Sequence, residues 1–121
     1  MTSPTARSTM QLKKDGYIPA IVEHWNRFAG IRQDLYGFID IVAMHPAHKG
    51  LLGIQTTSTA NMSARVKKII NEPRARVWLT SGNSILVWGW SKKGERGKVK
   101  HWTLTSKQIV CLDQNSPLVV E

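Results

Sequence analysis

The chain has 121 residues, 41% of them hydrophobic, which suits one folded domain over residues 1–121 and excludes general disorder. Its single cysteine, Cys111, excludes an internal disulfide and a cysteine zinc cluster, and its apolar runs fall far short of the roughly 20 residues of a membrane span. Seventeen Lys and Arg stand against eight Asp and Glu, a formal charge of +9, and that surplus favours polyanion partners because neutralised phosphates release counterions.

In chain order, Ser3 and Pro4 supply the N-cap and first turn of a helix that ends at Gly16 after Lys13 and Lys14. The opening MTSPTARSTMQLKKDG has no apolar core of the kind a signal peptide carries, so a cytoplasmic location is expected. Residues 20–26 alternate as a first strand, and 27–37 (RFAGIRQDLYG) read as an irregular connection. FIDIVAM (38–44) and LLGIQTT (51–57) form a hairpin around the breakers Pro46 and Gly50.

Asn61 or Ser63 then caps a helix with Met62, Val66, Ile69 and Ile70 on its core face. Pro73 and Gly82 bracket a segment read as helix in preference to a strand at VWL. SILVWGW (84–90) and VKHWTLT (99–105) make a second hairpin around the loop SKKGERGK, with QIVCL (108–112) as a last short strand and no clear signal beyond Asp113. The order α-β-β-β-α-(α)-β-β predicts an α/β (α+β) fold, a mixed sheet with flanking helices.

Polar residues interrupt the first hairpin. Residues two apart in a strand share a face, so Phe38, Asp40 and Val42 align on one run, and Gly53, Gln55 and Thr57 on the other. A hairpin centred between residues 47 and 48 puts Asp40 opposite Gln55, Cβ atoms about 4.5 to 5.5 Å apart. A desolvated carboxylate needs a hydrogen-bond partner or a cation. Two readings fit: a structural Asp–Gln hydrogen bond, or a Mg²⁺ site that polarises phosphate and activates water.

The run GFIDIVA, a turn, then GIQTT, following a helix and a strand, resembles the PD-(D/E)XK nuclease superfamily, notably Holliday-junction resolvases and phage nucleases, over roughly residues 3–71. The resemblance implies a restriction-endonuclease-like core and a Mg²⁺- or Mn²⁺-dependent DNA endonuclease, acting as a homodimer on junctions or branched DNA. A viral source would place it in a host cytoplasm. Asp40 matches the metal-binding Asp, Gln55 the second acidic position, Thr57 the lysine, and the Thr56 carbonyl the main-chain ligand. Gln55 lacks the family's charge at its position and Thr57 lacks the cation. The alternative is therefore a nucleic-acid-binding protein that keeps the fold without the chemistry.

Asp34 is the preferred substitute carboxylate, ahead of Glu23, because RQDLYGFID sets it just upstream of the site strand. Arg65 and Lys67 flank the core stripe of the following helix, and Lys68 points to solvent. With Arg32, these residues form an expected DNA-facing surface.

Five tryptophans leave room for a third reading, a binding module in which they recognise RNA or a partner. Trp88 and Trp90 share a strand face, which suits packing more than base stacking. SKKGERGK lacks the P-loop pattern, His45 and His48 lack a third zinc ligand, and Cys111 suits a small core position.

Overall fold

A computed structural model describes residues 2–94 and 96–121; Glu95, within the predicted 91–98 loop, lies outside the described residues. The fold is mixed α/β. Helix α1 (Pro4–Lys14) is followed by strands β1 (Ile18–Ile21), β2 (His24–Asn26), β3 (Ile31–Gln33), β4 (Ile41–Met44) and β5 (Leu52–Ser58). Helices α2 (Met62–Ile70) and α3 (Pro73–Thr80) lead to β6 (Ser84–Lys93), β7 (His101–Val110) and β8 (Val119–Val120). Six strands form one sheet in the order β1-β4-β5-β6-β7-β8, and β2 and β3 form a separate two-stranded ribbon. Every pairing in the sheet is antiparallel except β5 with β6, which α2 and α3 join as a crossover.

Local chemistry accounts for the helix ends. Ser3 accepts from the Ala6 amide, Pro4 occupies the first turn, and Gly16 leaves α1 at φ +89°. In α3, Pro73 starts the helix and Gly82 follows it at φ +92°, so VWL is helical and Trp78 is buried.

The sheet is covered on both faces. Leu12 of α1 packs on Ile41, Ala43, Leu52, Ile54 and Trp88. On the opposite face, Met62, Ile69, Ala75 and Trp78 pack on Ile85, Val87 and Ile109, with Phe38 and Ile39. Double coverage explains why Leu52 to Thr57 are all buried and show no in-out alternation.

Ser8 fastens α1 to the sheet: it is fully buried, 2.8 Å from the Thr56 hydroxyl, and accepts from the Trp90 indole at 2.9 Å. Ser8→Ala strands both partners, and a loss of about 1–3 kcal/mol is expected in urea unfolding with an unchanged m-value.

The structure revises four boundaries. The strand expected at 20–26 is two elements, because the Val22 and Glu23 amides both donate to the Asp40 carbonyl and the chain leaves the sheet there. The expected irregular connection contains β3, and β2–β3 close around a turn at 27–30. The strand expected from residue 38 begins at Ile41, because Tyr36 and Gly37 have positive φ and Leu35 bridges to Ile39. Residues 108–110 continue β7, and the two-residue β8 lies in the tail without a sequence signal.

The β4–β5 register is the expected one, with Ile41 opposite Ile54 and Val42 opposite Gly53. No described helix is long and apolar enough to cross a membrane.

Candidate functional site

Asp40 stands at the mouth of β4, its amide donating to the Ile54 carbonyl at 2.9 Å. Continuing the register places it opposite Gln55. The Asp40 carboxylate accepts from the Gln55 side-chain amide at 2.7 Å and from the Thr56 backbone amide at 2.8 Å, both at Oδ2. Asp40 is 3% exposed. Burial pushes its carboxyl up to about 8 from 3.8, and a hydrogen bond with Asp34 adds to that effect. The Thr56 amide acts in the opposite direction, and the negative charges of Asp34 and Glu23 reinforce the rise.

The other two carboxylates arrive from the base of the β2–β3 ribbon. Glu23 immediately precedes β2 and Asp34 immediately follows β3. Ligand oxygens of Glu23, Asp34 and Asp40 all lie within 4.8 Å of one another. Glu23 also accepts from Thr5 at 3.1 Å and pairs with Arg32 at 3.4 Å. Asp34 pairs with Lys68 at 3.6 Å.

These side chains line an open cleft of about 840 Å³ with Gln55 and Thr56. Arg32, Arg65, Lys68 and Arg74 also line it, so an acidic floor is ringed by cations. Arg74 is held by an ion pair with Glu72.

The donor set suits a hard divalent ion. Oxygens around an octahedral Mg²⁺ lie roughly 3 to 4 Å apart, so the three carboxylates need close only slightly. Among the described residues the buried Gln55 Oε1 atom has no hydrogen-bond partner, beside the Asp40 carboxylate that its Nε2 contacts. In a strand, a residue's N–H and C=O face the same edge, so the Thr56 carbonyl points to the side of β5 where its amide meets Asp40.

The expected site residues separate into two groups. Asp34, Asp40, Gln55, Thr56, Arg32 and Arg65 line the cleft, and Glu23, the less favoured substitute carboxylate, lines it too. Thr57 is buried and absent from the cleft lining, and Lys67 is absent from it as well. Lys68 is exposed, as expected, and its ammonium also reaches Asp34. Residues 65 and 68 are three apart and share a helix face. Arg74 carried no sequence signal.

The tryptophans of β6 are structural: Trp88 donates to Ser106 at 2.9 Å and Trp90 to Ser8. His45 and His48 pack against each other and Tyr17.

No protein-family model, curated protein or solved structure matches this chain. The functional reading therefore stands on the chemistry of the cleft.

Proposed function

We propose that the chain is a metal-dependent DNA endonuclease that hydrolyses phosphodiester bonds in this cleft. The observation that carries the reading is the convergence of Glu23, Asp34 and Asp40 beneath a rim of Arg32, Arg65, Lys68 and Arg74. Carboxylates without cations would repel a phosphate backbone, and cations without carboxylates would only bind it. Together they allow a nucleic-acid strand to be held across a Mg²⁺ or Mn²⁺ ion.

In this reading Asp40, Asp34 and Glu23 hold the ion, with the Thr56 carbonyl and Gln55 Oε1 as neutral oxygens. The ion supplies Lewis-acid activation of water and phosphate. Gln55 orients Asp40 through its amide N–H. Lys68, bound to Asp34, takes the water-positioning place that Thr57 does not reach. Arg32, Arg65 and Arg74 hold the flanking phosphates. One copy offers one such cleft, so cleavage of two strands calls for a homodimer, working in the cytoplasm on DNA.

The decisive measurement is nicking of plasmid and branched DNA in Mn²⁺ and Mg²⁺, by wild type and by Lys68→Ala. Wild-type cleavage that disappears in EDTA, with a loss of about 100-fold or more in Lys68→Ala, is expected. Site-specific Mn²⁺ binding without cleavage would leave a metal-binding protein without nuclease chemistry.

A specific feature favours a second reading, an inactive nucleic-acid binder: at Asp40 the Gln55 amide N–H occupies a carboxylate oxygen that a second acidic residue would leave open to a cation. An inactive binder shows DNA affinity with no saturable Mn²⁺ site by titration calorimetry.

A further inference from the structure

The β2–β3 ribbon stands apart from the main sheet and grows from the floor of the cleft, with Glu23 at one foot and Asp34 at the other. Its free end is apolar and aromatic. Phe28 at the turn is 94% exposed, Trp25 is 61% exposed, and Ile31 is 49% exposed. Residues 24–33 include Arg27 and Arg32 and no carboxylate. The Arg27 guanidinium lies 5.8 Å from the Phe28 ring centroid, and Arg32 stands directly across from Trp25.

The turn is preorganised. Asn26 Oδ1 accepts from the Phe28 amide at 3.0 Å and the Ala29 amide at 3.1 Å. The Asn26 carbonyl accepts from Gly30 at 2.8 Å, and Gly30 adopts φ +69°. Asn26 also donates to Gln33 at 3.3 Å across the ribbon. A phenyl ring is thus held out in water on a fixed backbone, which lowers the entropy lost when something covers it.

We infer that this ribbon is a base-stacking finger, and that the substrate class is DNA with unpaired bases beside the phosphate in the cleft. The inference rests on the nuclease reading for its catalytic half but concerns binding. Aromatic faces and guanidinium planes are what unpaired bases stack on, irrespective of sequence. A paired base in a duplex is already stacked on both faces and offers Phe28 only its edge. The absence of acids on the ribbon and the cations around its foot match a phosphate backbone. Phe28 lies five positions after Glu23, a reach of at most roughly 17 Å on an extended strand. A base on Phe28 therefore belongs to a nucleotide within a few positions of the phosphate over the carboxylates.

The test is binding in EDTA, where no hydrolysis occurs, to fluorescent oligonucleotides of one sequence as a single strand, a gapped duplex and an intact duplex. Phe28→Ala is expected to weaken binding to the single strand and the gap by about tenfold or more, and to the intact duplex by less than twofold. Phe28→Trp should retain wild-type binding. Among the described residues Phe28 belongs to neither core cluster, and circular dichroism verifies that each variant is folded.

Equal losses on all three DNAs, no loss on any, or no DNA binding by wild type would overturn the inference. So would a dimer that dissociates in sedimentation when Phe28 is replaced, because the ribbon would then be a self-association surface. Metal-dependent cleavage is assayed on the same preparations. Phe28-dependent binding without cleavage removes the nuclease reading alone, and cleavage indifferent to Phe28→Ala removes the finger alone.

Discussion

Asp40→Asn is expected to eliminate metal-dependent cleavage and, in metal-free protein, to stabilise the fold at pH 8. The variant keeps the shape of the side chain, and its Oδ1 still accepts from Gln55 and Thr56. It removes a buried charge. The folded-state carboxyl is raised to about 8 from 3.8, so between these values the native protein holds a proton that the unfolded chain releases. Stability then falls as pH rises through this window, because the native state binds more protons than the unfolded one.

The slope is about 1.4 kcal/mol per pH unit, on the order of 5 kcal/mol across the window. Below pH 4 the contribution is fully present, and above pH 8 the fall stops. Urea unfolding in EDTA from pH 5 to 8 reads it as the difference between wild type and Asp40→Asn, which cancels the histidines. Parallel curves would show that Asp40 ionises normally. Mn²⁺ at pH 8 should restore wild-type stability, since a ligand that binds only the native state adds to it. In the variant the ion should have little effect, with metal affinity reduced by more than about 100-fold, the upper end for outer-shell partners.

Gly50→Ala carries the largest expected loss of stability. Gly50 has φ +78°, and a methyl there would fall on the Gly82 carbonyl oxygen, well inside contact distance. The left-handed backbone costs roughly 1–2 kcal/mol for an alanine, and the displaced backbone adds about 1–3 kcal/mol. A loss near 4 kcal/mol in chemical denaturation is expected. The damage is local to the β4–β5 turn, whose Leu51 amide donates to Asn83 at 2.8 Å. Because this turn sets which residue faces Asp40, weaker Mn²⁺ binding should accompany the loss; unaltered binding would show that the register survives without it.

The register of the site was legible in the sequence because a strand has period 2. Once Pro46 and Gly50 marked the turn, a symmetric pairing about residues 47 and 48 placed Asp40 opposite Gln55, and that register is the one adopted. The break at Val22 and Glu23 was hidden for the same reason: alternation continues unchanged when a chain leaves one sheet to begin another ribbon. The exposure of Lys68 was legible and its partner was not, because a helical wheel locates the core stripe and says nothing of what passes beside the polar face. Here the segment carrying Asp34 lies there.

By itself, the sequence determined the charge balance, the mixed α/β class, both ends of α1 and α3, and the pairing of Asp40 with Gln55. The charge is composition, the helix ends depend on spacings of a few residues, and the Asp40–Gln55 pairing depends on the turn that Pro46 and Gly50 mark. Only the tertiary structure decided that Glu23 and Asp34, eleven positions apart at the two feet of the β2–β3 ribbon, meet at Asp40. It also decided that the segment joining them projects as an exposed aromatic ribbon. Side chains brought together by chain reversal leave no period to read, since their proximity comes from packing against the sheet and from two amides sharing one carbonyl oxygen.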